Sequence, residues 1–407
     1  MTWPRGLRAL AHRDFRLYFA GHAISILGSW IQQVALAWLV YRLTGSAALL
    51  GIVTFAALIP QLAVSPLAGA WIDRRDKRRL LMLVQGLLGT QAALLALLTA
   101  LGAIGPAVIV VMAVAMGLLN AVDTPLRQSL IGTFVGRRED LANALALNAI
   151  LFNIGRFVGP PVAGLLLGVT SEAACFALNA VSFGALFAVL VFIKGQPTAR
   201  ASGSVAAVFR EGVVYAWRTP PVRVTILTLM ALNFTASAYA VLLPVFAGEV
   251  FGGDATTLGW LWGAVGCGAL LGTVLLAWLR GLAALASTIL AGVALSAASL
   301  LVFALTGHLT VALTALAVLG FGISIANVGA NIMLQSVAPD QLRGRVVSFF
   351  SATRFGFDAL GGLVAGFVAA TLGAGPTLAV EALALGGFTL LLALGHGAIR
   401  RQVQQVG

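Results

Sequence analysis

Three charged side chains lie deep within apolar stretches of the sequence. Arg156 lies in the stretch 142–169, and Arg354 and Asp358 lie in the stretch 346–372. A charge at the centre of a bilayer costs at least about 2.5–3.5 kcal/mol, so each should face a cavity or a partner. A guanidinium binds anionic groups, and a carboxylate can take up and release a proton. These residue types predict a positively biased cavity in which Arg156 binds a ligand and Asp358 carries a proton.

A purely structural role is the alternative for the same three residues. Arg354 and Asp358 are four positions apart, so on a helix they share a face and can form an ion pair. Arg156 would then be held by backbone carbonyl groups. The sequence leaves both interpretations open, because spacing along one helix does not show what the opposite helices present.

Uncharged polar residues in other apolar stretches supply further candidate contacts for a ligand or a proton. These are His22, Gln32, Gln33, Asn153, Asn233, Asn327 and Asn331. Asn327 and Asn331 are four positions apart and would lie in one stripe on a helix. His22 belongs to the residue type that titrates nearest neutral pH, but it is only about two turns inside its stretch. Hydrogen bonding between helices is the alternative for the amides, and interfacial packing is the alternative for His22.

The stretches that carry these residues are long enough to cross a membrane. Of the 407 residues, 60% are hydrophobic and only 9% are charged, against about a quarter charged in soluble domains. A helix of about 20 apolar residues crosses the roughly 30 Å of hydrocarbon. Twelve such stretches are present: 15–43, 47–72, 80–101, 107–131, 142–169, 173–193, 224–250, 257–279, 285–305, 311–334, 346–372 and 378–399. The sequence therefore predicts an all-α membrane protein, and its first stretch is too long for a cleavable signal peptide.

The net charge of +12 is concentrated on one side of the predicted membrane. Basic residues precede the first stretch, follow the last and fill alternate loops, as in the loop 73–79. By the positive-inside rule this places both termini in the cytoplasm. Three acidic residues lie near the non-cytoplasmic ends of their stretches and are expected at the surface: Glu172, Glu249 and Glu381. The basic excess therefore indicates topology and contact with anionic lipid, and nucleic-acid binding is not predicted.

The sequence contains no pattern typical of a cofactor, a metal ion or an enzyme active site. Cys175 and Cys267 lie in separate apolar stretches, where a thiol behaves as a small hydrophobic group. They predict neither a disulfide nor a metal site. Glycine-rich nucleotide fingerprints, phosphate-binding loops and zinc motifs are absent from the sequence. We therefore predict no enzyme activity, no cofactor and no metal.

The chain divides into two halves of six stretches each. The domain organisation predicted is an N-terminal bundle at 1–193, a cytoplasmic linker with an amphipathic helix at 194–222, and a C-terminal bundle at 223–407. An internal repeat supports the division. RFVGPPVAG, which begins at Arg156, aligns without a gap with DALGGLVAG, which begins at Asp358. Arg156 and Asp358 are therefore predicted to occupy equivalent positions in the two halves, with opposite charges.

The loop after the second stretch, GAWIDRRDKRRLL from Gly69, resembles a signature of the major facilitator superfamily. That signature is Gly-x-x-x-Asp-Arg-x-Gly-Arg-Arg, and Asp76 stands where it has its second glycine. RDFRLYFAGHAISILGSWIQQVALAWLVYRLTGSA, DTPLRQSL and PDQLRGRV are similar to the branch of enterobactin exporters and macrolide-efflux proteins, the transmembrane secretion effectors. The resemblance covers nearly the whole chain. It implies two pseudo-symmetric six-helix bundles around a central cavity, and we expect a monomer.

The resemblance also implies a gate at the cytoplasmic side. The gate residues would be Gly69, Asp73, Arg74, Lys77, Arg78, Asp123 and Arg127. In the family the acid at Asp73 binds the start of helix 11, near Arg345 here. A basic loop residue, here Lys77, pairs with the acid at the end of helix 4, here Asp123. Arg127 is four residues beyond Asp123 and can join them. The alternative is that the basic loop only determines topology.

The fifth stretch resembles the antiporter pattern of the same superfamily, Gly-x-x-x-Gly-Pro-x-x-Gly-Gly. Gly155, Gly159, Pro160 and Gly164 match this pattern, and Ala163 replaces the first glycine of its last pair. Small residues four apart allow helices to approach closely, and a proline inside a helix permits a bend. In the family the pattern goes with export in exchange for protons. Glycines at this spacing are also common in the packing of any membrane helix.

These features together predict a transporter in the cytoplasmic membrane of a bacterium. Its expected function is the proton-coupled export of a small amphipathic molecule, a drug or a siderophore-like metabolite, by alternating access. The expected partners are the small molecule, protons and the lipid bilayer. Transport of a lipid, a lysolipid or a nutrient by the same fold is the alternative.

Overall fold

The computed structural model describes residues 4–72, 75–193, 213–279 and 281–406. Within these ranges there are twelve helices long and apolar enough to cross a membrane, and no strand. These are α1 (Arg13–Thr44), α2 (Ala47–Ile72), α3 (Lys77–Ala100), α4 (Pro106–Phe134), α5 (Leu141–Val169), α6 (Glu172–Phe192), α7 (Pro220–Val245), α8 (Ala255–Trp278), α9 (Leu282–Leu305), α10 (Leu309–Val337), α11 (Asp340–Leu372) and α12 (Ala374–Val406). The predicted all-α membrane fold is confirmed.

Each helix covers one of the predicted apolar stretches, and the differences lie at the ends. α11 begins six residues before its apolar stretch and α12 ends seven residues after its own, because a helix can continue into water once its backbone hydrogen bonds are started. A 3₁₀ helix (Arg5–Ala11) precedes α1, and a π-helical segment (Phe246–Val250) follows α7. Most of the predicted linker helix lies outside the described residues; residues 213–218 are helical. The domain boundaries remain predictions.

The helices pack as two bundles of six. α1 contacts α5 and α6, and α3 contacts α6; in the other half α7 contacts α11 and α12, and α9 contacts α12. Two helix pairs make the most extensive contacts between the bundles, α2 with α11 and α5 with α8. We call the side of the membrane at which α1 begins the terminal face, and the opposite side the distal face.

Apolar packing joins the bundles near the distal face and keeps them separate near the terminal face. One buried core draws on both bundles in the distal half, with Leu39 and Phe176 from the first and Leu242 and Phe303 from the second. In the terminal half each bundle has its own core, one around Phe15, Leu81 and Leu130 and one around Leu229, Leu334 and Phe350. The interior between the bundles is therefore closed by apolar packing on its distal side.

The two crossings between the bundles are built in the same way, with glycine facing glycine. A Cβ atom added to Gly366 of α11 would lie 2.6 Å from a backbone carbonyl oxygen of α2 and 2.9 Å from the Cα atom of Gly51. A Cβ atom added to Gly164 of α5 would lie 2.8 Å from a carbonyl oxygen of α8 and 3.0 Å from the Cα atom of Gly259. Gly164 and Gly366 are also equivalent in the internal repeat, so the repeat describes how each bundle meets the other.

Candidate functional site

A cavity of about 280 Å³ lies between the two bundles, and the three deep charges line it together. Arg156 comes from α5, and Arg354 and Asp358 come from α11. Helices α1, α2, α7, α8 and α10 complete the wall. Its aromatic lining residues are Trp30, Phe152, Tyr239, Trp262 and Phe355. We call this space the central cavity; it combines charge with aromatic surface, as a site for an amphipathic molecule requires.

Arg354 and Asp358 do not form the ion pair that their spacing allows. Among the described residues no ion pair joins Asp358 to Arg354 or to Arg156, and Nε of Arg354 has no hydrogen-bond partner. The guanidinium of Arg354 lies over the ring of Phe355 instead, with 5.7 Å between Cζ and the ring centroid, a cation–π contact. The pair that the spacing allows is therefore not formed in this conformation. With the aspartate ionised, two arginines and one aspartate leave a net charge of +1 in the cavity.

Three of the predicted amide residues also line the central cavity. Nδ2 of Asn233 donates a hydrogen bond to Oδ1 of Asn327 over 3.3 Å, which joins α7 to α10. Each of these two amides also donates to a carbonyl group of its own helix. Gln33 is exposed halfway along α1 and faces the same space. Asn233 and Asn327 therefore form part of a fixed wall, whereas Gln33 presents its amide to the cavity.

Asn153 and Asn331 do not line the central cavity. Nδ2 of Asn153 donates to the carbonyl oxygen of Ala149 over 2.9 Å, within its own helix. Oδ1 of Asn331 accepts from Nε2 of Gln335 over 3.0 Å, one turn along α10. Asn153 precedes Arg156 by about one turn of α5, Asn331 follows Asn327 by about one turn of α10, and local hydrogen bonds occupy both side chains. The predicted stripe of Asn327 and Asn331 is therefore divided between two surroundings.

A second cavity of about 270 Å³ opens between α1, α2 and α4, beside the central cavity. Its polar lining consists of Ser29, Gln32, Gln33, Thr54, Gln61, Gln91, Asn120 and Asn179, and none of its described lining residues is charged. We call it the amide cavity. Gln32, which is 2% exposed, accepts from Asn179 over 2.8 Å and donates to Gln91 over 3.4 Å. Sequence reasoning found Gln32 and Gln33 but missed the other amides, although they too are polar residues within apolar stretches.

His22 belongs to a buried network in the first bundle and does not line either cavity. Nε of Arg127 donates to Oδ2 of Asp123 over 2.6 Å, and Nε2 of Gln85 donates to Oδ1 of the same carboxylate over 2.6 Å. Arg127 also contacts Nδ1 of His22 and Oε1 of Gln85. No ion pair between Asp123 and Lys77 is present among the described residues, and the carboxylate of Asp123 bonds to Arg127 and Gln85 instead. This network ties α1, α3 and α4 together.

The predicted gate loop is only partly described. Gly69 lies within α2, whereas Asp73 and Arg74 lie outside the described residues. Asp76 caps α3, since its side chain accepts a hydrogen bond over 3.1 Å from the backbone N–H three residues later. The φ angle of Asp76 is −66°, so this position does not need a glycine. The departure from the superfamily signature therefore supplies a helix cap without backbone strain.

Arg78 acts inside the first bundle and not between the bundles. Nε and Nη2 of Arg78 donate to the carbonyl oxygens of Leu190 and Val191, over 2.7 and 2.9 Å, at the end of α6. Those carbonyl groups lack partners within their own helix, so a basic side chain there satisfies them and complements the helix dipole. In this conformation Arg78 therefore holds the end of α6, and its part in a gate stays a prediction. Lys77 is buried at the start of α3.

The glycines of the helix 5 pattern serve two contacts. Gly155 and Gly159 face α1, and a Cβ atom on Gly159 would lie 2.5 Å from Cβ of Trp30. Pro160 and Gly164 face α8, where the carbonyl oxygen of Pro160 would lie 2.7 Å from a Cβ atom on Gly259. The pattern therefore positions the indole of Trp30 at the central cavity and forms one of the two crossings between the bundles.

Two acidic residues that were expected at the surface are buried. Glu172, at the start of α6, accepts a bidentate contact from Arg42 at the end of α1, with N–O distances of 2.7 and 3.2 Å. Glu381 of α12 is 8% exposed, and its Oε2 has no hydrogen-bond partner among the described residues. Glu249 is exposed, as expected. The bundle interiors extend close to the distal face, so nearness to a helix end does not ensure exposure.

Comparisons with known proteins agree with this architecture. A family model described as "Transmembrane secretion effector" matches residues 5–400. The chain is 30% identical over 268 residues to the staphyloferrin A transporter of Staphylococcus aureus, a match that covers 64% of this chain and 66% of that protein. It is 29% identical over 363 residues to the multidrug efflux pump Tap of Mycolicibacterium fortuitum, covering 85% and 87%. It is 26% identical over 385 residues to the enterobactin exporter EntS of Escherichia coli, covering 91% and 89%.

Solved structures with the same fold are also transporters. A bacterial homologue of the human lysosomal transporter Spinster, in an inward-facing and unoccupied conformation, has a TM-score of 0.69 at 13% identity and covers 97% of each chain. A POT family transporter in complex with 5-aminolevulinic acid has a TM-score of 0.73 at 14% identity, covering 95% of this chain and 96% of that one. Twelve membrane-length helices and bacterial efflux relatives place the chain in a bacterial inner membrane.

Proposed function

Because the chain belongs to the transmembrane secretion effector family of the major facilitator superfamily, and is therefore a transporter and not an enzyme, we propose that it exports a small amphipathic molecule from the cell in exchange for protons. The central cavity carries this proposal. Two arginines, one aspartate and five aromatic rings meet there, between the bundles. The functions of two relatives, multidrug efflux and enterobactin export, are consistent with it.

Alternating access is the transport mode that the packing favours. The shared core and the glycine crossings close the distal half, while the terminal halves of the bundles have separate cores. Rocking one bundle against the other would open the distal half and close the terminal half around a site at mid-membrane. The positive-inside rule makes the terminal face cytoplasmic. This conformation then corresponds to the state that takes up its substrate from the cytoplasm.

Asp358 is the proposed proton carrier. It is the one carboxylate among the described residues that line the central cavity. It forms no ion pair with either arginine there, so protonation does not require an ion pair to be broken. Asp358 and Arg156 occupy equivalent places in the two halves, and the motion that opens one face changes the surroundings of both. A carboxylate whose surroundings alternate can collect a proton at one face and release it at the other.

The test measures transport in inside-out vesicles with and without an imposed proton gradient. A panel of drug-like and metabolite-like amphipaths, spanning all charge classes, is quantified inside the vesicles by mass spectrometry. Wild-type protein should accumulate at least one compound only when the gradient is present. Asp358→Asn should lose this gradient dependence, whereas Asp254→Asn, at an exposed helix cap, should retain it. If Asp358→Asn still responds to the gradient, Asp358 is not the carrier and Asp123 or His22 becomes the next candidate.

We also propose that the loop 69–79 closes the terminal face by docking on the start of α11. The support is the signature, together with the glycine-mediated approach of α2 to α11 at their other ends. Asp73→Asn should reduce accumulation strongly at unchanged expression. Asp76→Asn is the matched control, since asparagine caps a helix as well as aspartate does. Full activity of Asp73→Asn would leave the basic loop as a topology signal only.

A further inference from the structure

We propose that the exported molecule is an amphipathic anion, with its anionic group between Arg156 and Arg354 and its uncharged, hydrogen-bonding body in the amide cavity. This inference rests on the export function proposed above and restricts the substrate to one charge class. The two cavities have similar volumes, about 280 and 270 Å³. They share Gln33, Thr54, Leu58, Ala240 and Trp262 as lining residues, so one elongated molecule can occupy both.

The central cavity has more hydrogen-bond donors than its own acceptors use. Nε of Arg354 has no hydrogen-bond partner in the described part of the chain, and Asp358 pairs with neither arginine there. Guanidinium groups only donate hydrogen bonds. An anionic ligand group between Arg156 and Arg354 would accept from both and would bring the cavity from a net charge of +1 to neutrality. Charge-assisted bonds of this kind are the strong ones.

The junction of the two cavities also presents donors. Trp262 lines both cavities, and its Nε1 is buried without a hydrogen-bond partner among the described residues. An indole N–H can only donate, so an acceptor from the ligand would satisfy this group. Gln33 is exposed to both cavities from the opposite bundle. Acceptor oxygens of the ligand next to its anionic group would fit between these two side chains.

The amide cavity selects for an uncharged body. None of its described lining residues carries a charge, and a second ligand charge placed there would be desolvated without a partner. Gln32, Gln91 and Asn179 bond to one another and therefore keep their positions. Asn120 of α4 and the apolar side chain of Leu36 also line the cavity. The cavity thus favours a neutral group that combines apolar area with a few hydrogen bonds.

A cationic substrate fits this arrangement less well. Its one partner would be Asp358, which lies one helical turn from Arg354 and shares the cavity with Arg156. A cation beside Asp358 would therefore be repelled by two guanidinium groups in a space of reduced dielectric constant. Removal of the aspartate charge should strengthen anion binding, since the remaining repulsion toward an anion disappears.

The experiment compares three probes that carry the same fluorophore and differ in charge. Dansylglycine is an anion, dansylamide is neutral and dansylcadaverine is a cation. Each is titrated by fluorescence against the full-length protein in detergent at neutral pH, so no transport is required. We expect dansylglycine to bind roughly tenfold more tightly than dansylamide, and dansylcadaverine to bind most weakly.

Substitutions then test whether the charged residues of the central cavity cause this preference for an anionic probe. Arg156→Gln and Arg354→Gln should each reduce the affinity for dansylglycine about tenfold and leave dansylamide within a factor of about two. Asp358→Asn should raise the affinity for dansylglycine. Asn120→Leu should change the three affinities by the same factor, because it alters only the amide cavity. Arg137→Gln, at an exposed position outside both cavities, is the matched control and should change nothing.

Equal affinities of the three probes, tightest binding of dansylcadaverine, or no measurable binding of any probe would overturn the inference. An unchanged anion preference in both Arg156→Gln and Arg354→Gln would overturn it as well. These outcomes are distinct from failure of the export proposal. In that case the vesicles would show no gradient-dependent accumulation of any compound, whatever the order of the binding affinities.

Discussion

A single added methyl group at the α2–α11 crossing should shift the transporter toward an open distal face. In Gly366→Ala the new Cβ atom would lie 2.6 Å from a carbonyl oxygen and 2.9 Å from the Cα atom of Gly51. Carbon atoms pack best at about 3.5–4.0 Å, so α2 and α11 must separate by several tenths of an ångström or more. Both contacted atoms belong to the backbone, so a change of rotamer cannot relieve the overlap.

The expected size of the shift follows from the cost of overpacking. Extra atoms in a well-packed interior cost about 1–3 kcal/mol, which corresponds to about a 5-fold to 150-fold change in an equilibrium constant. The cost applies only where the crossing is closed, so it is removed when the distal face opens. Gly164→Ala at the α5–α8 crossing has slightly longer contacts, 2.8 and 3.0 Å, and should shift the equilibrium in the same direction by a smaller factor.

Spin-label distance measurements in nanodiscs test this prediction. Labels at Leu101 and Leu305, both exposed at the distal ends of α3 and α9, report the separation of the bundles after Cys175 and Cys267 are replaced by alanine. Gly366→Ala should increase the population of long distances. Gly387→Ala is the matched control, since a Cβ atom there meets nothing within 4 Å.

The reasoning fails if Gly366→Ala and Gly387→Ala give the same distance distribution. It also fails if Gly366→Ala lowers the thermal stability of the protein without changing the distances. The crossing would then contribute to folding alone, and closure of the distal face would depend on the shared apolar core around Leu39 and Leu242.

Three further predictions concern stability, measured as thermal unfolding in detergent. Arg42→Ala should cost about 1–3 kcal/mol because it leaves the buried carboxylate of Glu172 without its bidentate partner. Arg137→Ala, at an exposed ion pair, should cost under about 1 kcal/mol, and equal losses of stability would contradict this prediction. Asp123→Ala should cost about 3–5 kcal/mol, since it leaves the buried charge of Arg127 without a carboxylate partner; a loss below that of Arg42→Ala would contradict this. Asp76→Ala should cost about 1 kcal/mol and Asp76→Asn almost nothing; equal effects would exclude the capping role.

Much of the fold could be predicted because the bilayer imposes its own rules on the sequence. Its thickness requires about 20 apolar residues for each crossing, and composition alone located all twelve helices. The repeat that relates Arg156 to Asp358 also contains Gly164 and Gly366, which form the two crossings in the structure. These features are local in the chain or periodic along it, so the sequence contains them directly.

The composition of the site could not be predicted in the same way. Gln33 faces the cavities while its neighbour Gln32 is buried against Asn179, and the difference arises from the rotation of α1 against six other helices. Arg354 contacts Phe355 and not Asp358, because the surroundings of α11 decide between rotamers that the i, i+4 spacing allows equally. The amide cavity gathers side chains from α1, α2, α3, α4 and α6. The apolar stretches determined which helices cross the membrane, but only tertiary packing decided the depth and rotation of each helix. Lipid and protein interior are equally apolar, so local hydropathy does not show which face of a helix meets which of them.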